Sequence, residues 1–546
     1  MRRLSFLLLF IEIAFMANAQ IAPNFYWIQF TDKNNSPYSI DNPEAYLSQR
    51  ALQRRANQGI AIDEYDIPVN PQYLQAVADC GAELINPSKW LNGVTVRITN
   101  PDVLEAVRAL EFVETTRACV NNPEAQRMKE RWLAREMQFS PVENPTRGYY
   151  GGAYTQINQL NGIALHDSGY QGEGMVIAVL DGGFEGTDQH PAFDNMREEG
   201  RFLGTRNFVY GSSTVFSGGF HGTACLSAMA AYVPETFVGT APKASYYLIG
   251  TEDASQENII EEYNWVSGAE YADSLGVDVC STSLGYIDFD MTEWNHVYEH
   301  FDGHTAPMTI GANIAASRGL LCLNAAGNEG DYWICTLGIP ADSDGVLTIG
   351  AVDDFGMLAV FSSIGPTYDG RIKPDVLALG VHTYVAVSGD EYQYGNGTSF
   401  ACPVMAGMVT CLWQAFPNVT AAEIRDVVRE CSDNYENPNN RYGYGIPDFM
   451  KGLDLLPVNE LISEVSEIIS VYPNPSSGNV KVAFKEDVET EIIVCDYMGR
   501  MIFTNHCNGL TNNLLESKLN ELGAGVYFIN VSSGTGNQTV KLVKVK

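Results

Sequence analysis

Three stretches of the chain combine apolar and small residues in ways that carry a reactive side chain to the end of an element. Val176-Ile177-Ala178-Val179-Leu180-Asp181-Gly182-Gly183 is an unbroken apolar run closed by a carboxylate and two glycines. Such a run predicts a parallel strand buried on both faces, with Asp181 at its C-terminal edge. That edge is where open α/β sheets place their chemistry. Phe220-His221-Gly222-Thr223-Ala224-Cys225 continues in small residues to Ala231 and predicts a closely packed helix with His221 at its start. Gly395-Asn396-Gly397-Thr398-Ser399-Phe400-Ala401 predicts a sharp turn into a second buried helix, with Ser399 in its first turn. There the backbone N–H groups lack helical partners and lie at the positive end of the helix dipole.

The flanks are patterned differently. From about residue 20 to 118 strand-like and helical stretches alternate, ending in a strand at Trp90 to Ile98, a helix near Pro101 to Leu110 and a strand at Phe112 to Glu114. After about residue 456 the pattern is short strands and turns. At the start, Arg2 and Arg3, the apolar stretch Leu4 to Met16 and Ala17-Asn18-Ala19 make up a secretory signal cut before Gln20, with Glu12 as an interruption. No later apolar run reaches about 18 residues, so no transmembrane span is expected.

Each of the three reactive residues has an ordinary reading alone. Ser399 suits a helix cap, Asp181 a turn, and His221 a satisfied polar position. Together, an acid, an imidazole and a hydroxyl on such elements point to acyl transfer. A serine attacks, a histidine takes its proton, and an aspartate orients the histidine.

In this order the three segments resemble the subtilase family of serine proteases. Gly239-Thr240-Ala241-Pro242 is similar to the family's turn after the histidine helix, and Arg441-Tyr442-Gly443-Tyr444-Gly445 to its closing Gly-Tyr-Gly. Val277 to Gly285 resembles the strand lining the substrate cleft, and Ala325-Ala326-Gly327-Asn328-Glu329-Gly330 the oxyanion segment. The resemblance implies an α/β fold, a doubly wound parallel sheet. It implies Asp181, His221 and Ser399 as catalytic residues and Asn328 as oxyanion donor. Ser283, Leu284, Gly285, Ala325, Ala326 and Gly327 become substrate-binding residues.

Three departures from the family pattern matter. Gly182 stands where the family has Thr or Ser. Cys225, one helical turn beyond His221, is expected to be a buried, inert thiol. Tyr232 to Val238 lacks the Asn-rich stretch with which many relatives hold calcium. The resemblance thus implies no cofactor for the chemistry and no assigned metal ligand; a structural calcium ion is compatible with it, at a site not identified.

The N-terminal pattern is similar to the inhibitory propeptides of subtilases, and an unrelated α+β binding domain is the alternative. The C-terminal part, beginning Val471-Tyr472-Pro473-Asn474-Pro475 and closing Lys541-Leu542-Val543-Lys544, resembles the sorting domains of the type IX secretion system of Bacteroidetes. That resemblance implies a small β-sandwich, the alternative being a plain binding sandwich. The expected organisation is signal peptide 1–19, propeptide 20–118, linker 119–148, peptidase 149–455, linker 456–469 and sorting domain 470–546. The linker's Arg127, Lys129, Arg131, Arg135 and Arg147 suit exposed maturation cuts.

Composition narrows this further. A net charge of −33 over 546 residues argues against nucleic acid or an anionic membrane as partner. The expected partners are protein or peptide substrates, the chain's own propeptide and the type IX translocon. The expected destination is the cell surface or medium, reached through periplasm and outer membrane. Eleven cysteines fit an oxidising destination, and the odd count leaves at least one thiol free. Cys80 with Cys119, and Cys495 with Cys507, fall within the small flanking modules as open pairings.

Other features carry less. His296, His300 and His304 have metal-ligand spacing beside Glu293, but Asp302-Gly303 should break the helix they need, leaving a solvated segment. His190 precedes Pro191 and is expected in a loop. Asn396-Gly397-Thr398 fits a glycosylation sequon, yet a glycan there would cover Ser399. The expected function is a secreted serine endopeptidase; the alternatives are a catalytically silent subtilase-fold surface binding protein and an adhesin.

Overall fold

The computed structural model describes residues 25–119, 148–255, 257–330, 335–456, 469–474, 476–477, 479–484, 489–496, 500–508, 513–533 and 536–545. The expected signal peptide and the stretches 120–147 and 457–468, where both expected linkers mainly fall, lie outside the described residues. The chain divides into two compact units, 1–456 and 457–546.

The first unit begins with an antiparallel sheet of β1 (Phe25–Phe30), β2 (Glu83–Ser88), β3 (Gly93–Arg97) and β4 (Val113–Ala118), in the order β2-β3-β1-β4. Helix α1 (Gln49–Asn57) and helix α2 (Pro71–Asp79) lie between β1 and β2, and α3 (Pro101–Arg108) between β3 and β4. Alternation along β1 sends Tyr26, Ile28 and Phe30 into a core with Val77, Val94, Val96, Leu104 and Val107. Trp27, on the opposite face, belongs to a different core, shared with the main body of the unit.

That main body is built on seven parallel strands: β5 (Val176–Asp181), β6 (Phe202–Asn207), β7 (Ser245–Gly250), β8 (Val279–Thr282), β9 (Leu321–Ala325), β10 (Val346–Val352) and β11 (Val376–Leu379). They run in the order β11-β10-β9-β8-β5-β7-β6. Every residue of β5, β8, β9, β10 and β11 is buried, as expected of strands covered on both faces. Five helices matter below: α4 (His221–Ala230), α5 (Ile260–Leu275), α6 (Pro307–Ser317), α7 (Thr398–Ala415) and α8 (Ala421–Glu430). α4, α7 and α8 share a core with one face of the sheet, α5 and α6 with the other. The expected doubly wound parallel sheet is the one observed.

The second unit contains a two-stranded antiparallel sheet, Ile469–Tyr472 with Lys481–Phe484, and a four-stranded one built from Glu489–Asp496, Met501–Asn508, Gly525–Ser533 and Gly536–Lys544. A helix at Asn513–Asn520, absent from the sequence reading, places Leu515 and Leu519 in its core with Ile492, Val494 and Ile529. The open cysteine pairings are not made: Cys80, Cys119 and Cys495 are free thiols. Cys507 pairs in register with Thr490, at the other end of the strand that carries Cys495.

Candidate active site

Asp181 closes β5 at the sheet's C-terminal edge, fully buried, and its Oδ1 accepts from the Gly182 N–H at 2.8 Å. His221 opens α4 and donates from Nδ1 to the same carboxylate, at 2.9 Å to Oδ1 and 3.0 Å to Oδ2. With its proton on Nδ1, the neutral ring keeps Nε2 as the basic nitrogen. The approach depends on Gly222, where a Cβ would sit 2.7 Å from the Gly183 carbonyl oxygen and 2.9 Å from the Asp181 Cβ. Gly182 is not a packing requirement: the nearest atoms a Cβ there would meet belong to Glu252, at 3.6 Å or more, an ordinary contact distance.

Ser399 lies in the first turn of α7, buried, after Gly397. Two groups hold its carbonyl oxygen: Ser283 Oγ donates at 2.7 Å and Cys225 Sγ at 3.3 Å. Cys225 Sγ also lies 3.9 Å from each His221 ring nitrogen, and the Phe400 ring stands 6.1 Å from the imidazole. The thiol therefore spans from the histidine helix to the serine helix.

The electrostatics follow from burial and two neighbours. Burial is the largest influence and opposes a charged imidazole, but Asp181, by charge and hydrogen bond, and the adjoining Cys225 sulfur together outweigh it and hold the His221 pKa well above its ordinary value. Burial pushes the Cys225 thiol up. It stays protonated, so it adds a contact rather than a charge, as expected of an inert thiol.

Asn328 follows β9 and meets the residue before the serine. Its Oδ1 accepts from the Thr398 N–H at 2.9 Å and from Thr398 Oγ1 at 3.0 Å, while Thr398 Oγ1 accepts from the Gly327 N–H at 3.2 Å. An amide whose oxygen is held on one side presents its NH₂ group on the other. Ser283 and Leu284 are buried just beyond β8, and Ala325 and Ala326 at the end of β9. Gly338, not identified from the sequence, joins this wall. A Cβ on it would sit 2.9 Å from the Gly285 Cα, and its N–H donates to the Ala326 carbonyl at 3.0 Å. Only the dipeptide Gly338-Ile339 before Pro340 could have flagged it.

The remaining candidates are separate from this constellation. His190 accepts from the Ala192 N–H at its Nδ1 (3.1 Å) and faces the Glu391 carbonyl at its Nε2 (3.3 Å), which makes it a buried cap for a short turn. His296 meets Glu262 at 2.7 Å through Nε2 and His300 at 3.4 Å through Nδ1, so its two nitrogens diverge. Two short 3₁₀ turns, Thr292–Trp294 and Tyr298–His300, replace the helix that metal ligation would need, and His304 is exposed. Among the described residues, acid, imidazole and thiol groups converge closely enough to share an ion only at Asp181, His221 and Cys225.

A model of the subtilase family matches residues 172–445. A model of the Bacteroidota peptidase S8 propeptide domain matches residues 25–132, and one of a secretion system C-terminal sorting domain matches residues 470–546. Subtilisin NAT of Bacillus subtilis subsp. natto is 32% identical over 293 residues, covering 53% of this chain and 68% of the relative. Subtilisin E of Bacillus subtilis (strain 168) gives the same identity and coverage. Serine protease AprX of the same strain is 28% identical over 323 residues, covering 53% of this chain and 69% of the relative. The sorting domain marks export by type IX secretion, to the cell surface or beyond it. The chain belongs to the subtilase family and is a subtilisin-like serine peptidase.

Proposed function

We propose that this protein is a secreted endopeptidase that cleaves peptide bonds in proteins through an Asp181-His221-Ser399 triad and an acyl-enzyme intermediate. The observation that carries the reading is the pairing of His221 Nδ1 with Asp181, with Cys225 linking that imidazole to the Ser399 carbonyl. His221 Nε2 takes the hydroxyl proton as Ser399 Oγ attacks the scissile carbonyl, then delivers it to the leaving amine. Asp181 fixes the tautomer and stabilises the charged ring. The Asn328 NH₂ and the Ser399 N–H donate to the oxyanion, and Thr398 holds the Asn328 amide in the orientation this requires. Water then hydrolyses the ester by the same proton path, and no step calls on a metal or cofactor.

Substrate backbone pairs with Ser283 to Gly285 and Ala325 to Gly327 as an added strand, with Gly338 at the pocket wall. Residues 20–118 are an inhibitory propeptide, 149–455 the peptidase domain and 470–546 the domain read by the translocon. Labelling of the processed protein by a fluorophosphonate tests the chemistry. Labelling at Ser399 that is lost in Ser399→Ala is expected. A folded, processed chain that never labels would turn the reading to a silent binding protein.

A further inference from the structure

Between β1 and α2 the chain runs out in an arm that crosses the peptidase body far from the cleft residues. At its centre, α1 carries Arg50, Arg54 and Arg55, the last two only 5% and 2% exposed. Arginines are almost never buried unless paired. Here they meet the C-terminal ends of α5 and α6. Arg50 donates to the Gly276 carbonyl at 2.9 Å, to the Gly174 carbonyl at 3.1 Å and to the Asp278 carboxylate. Arg54 donates to the Val277 carbonyl and to Asp273. Arg55 bridges Asp273 at 3.0 Å and the arm's own Asp66 at 2.6 Å, and donates to the Arg318 carbonyl. Gln58 extends the row, donating to the Gly319 carbonyl at 2.9 Å and accepting from the Ala421 N–H at 3.0 Å.

The chemistry of this face is specific. The last carbonyls of a helix lack intrahelical donors and carry its partial negative charge. Two such ends stand side by side, each closed by a left-handed glycine, Gly276 (φ +80°) and Gly319 (φ +84°). A Cβ on Gly276 would lie 2.5 Å from the Ala51 nitrogen, and one on Gly319 2.8 Å from Gln58 Nε2. Asp273 and Asp278 add full charges. Multi-donor guanidinium groups answer this array of acceptors better than a point charge can.

We propose that the C-terminal ends of α5 and α6 form an arginine-binding anchor site, which holds the propeptide by its arm, residues 46–66, independently of the active-site cleft. The proposal rests on residues 20–118 being an inhibitory propeptide. A second attachment belongs to the sheet itself: the Ser88 hydroxyl and the N–H groups of Lys89 and Trp90 donate to Glu270 at 2.5 to 3.0 Å. None of these contacts involves residues 120–147. A cut in that stretch therefore leaves the inhibitor seated, and activation requires loss of the arm as well.

The test uses the full chain with a recognition sequence for an added protease placed between residues 120 and 147. Elution is followed in the Ser399→Ala background, which cannot digest its own fragment, and fluorophosphonate labelling with Ser399 present. After cutting, the N-terminal fragment is expected to co-elute with the rest of the chain and to keep Ser399 unlabelled. With Arg54→Ala and Arg55→Ala combined, it is expected to leave about 30-fold faster or more. A wild-type fragment that leaves on cutting, or a double variant that holds it as long as wild type, overturns the anchor. If the double variant does not fold, Arg50→Ala with Gln58→Ala, the more exposed contacts at the two ends of α1, must shorten retention in the same direction; unchanged retention overturns the proposal. A chain that has lost its fragment yet never labels sinks the peptidase reading instead, while elution still decides the anchor.

Discussion

At the scale of single residues, the protonation of His221 sets when the enzyme can work. A protonated imidazole cannot accept the serine proton. Because Asp181, together with the adjoining Cys225 and against the effect of burial, holds the His221 pKa well above its ordinary value, activity in the processed enzyme is expected to rise with pH through and beyond neutrality. Asp181→Asn removes the charge that favours the imidazolium. The rising limb of kcat/KM is then expected to move to lower pH while kcat falls by about 10⁴, the loss seen when a triad aspartate becomes an amide in a serine protease. A pH-rate profile of both forms checks this: an unmoved limb in the variant would mean that Asp181 does not govern the titration.

At the scale of elements, Gly276 joins a helix end to the arm laid against it. Gly276→Ala forces a side chain into a left-handed backbone, at a cost of about 1–2 kcal/mol, and drives its Cβ against the Ala51 nitrogen. The cut complex is expected to lose its N-terminal fragment faster, while kcat/KM of the fragment-free enzyme stays at the wild-type value. Gly276→Asn separates the two causes, since Asn tolerates the backbone but keeps the Cβ. Retention equal to wild type in both variants would contradict the close seating. The same elements show what the sequence made legible. β5, α4 and α7 could be read because burial on both faces leaves an unmistakable apolar run, and small residues mark a tightly packed helix. The arm could not be read as an interface, because Arg54 and Arg55 are solvent residues to any rule based on polarity and their acceptors on the peptidase body lie more than two hundred positions away. Gly338 escaped for a related reason: its role is a backbone contact with Gly285, which leaves no trace in side-chain pattern. His296 shows why spacing alone is not enough: Asp302-Gly303 should break the helix that the four-residue repeat needs, and the chain there makes two separate turns.

At the scale of the molecule, the question is whether acid could release the propeptide, and the charges at its seat argue that it cannot. The first histidine of the chain is His166, so residues 25–119 hold no group of that kind to titrate near neutrality. Burial alone would raise Asp273, but Lys89, Arg54 and Arg55 outweigh it and hold the carboxyl far below its ordinary range. Its contribution is therefore complete above the released-state value of about 3.9 and is lost only as the pH falls below that, through the bound value. Glu270 and Asp278 are shifted the other way, chiefly by burial, so partial protonation favours the bound state as the pH drops. Between pH 5 and 7 none of these three carboxyl groups weakens the seat. Retention of the N-terminal fragment by the cut chain is thus expected to be at least as long at pH 5 as at pH 7 and to fall only below about pH 4. Release with a midpoint near pH 6 would place the control on a group outside this seat and would make acid rather than proteolysis the trigger.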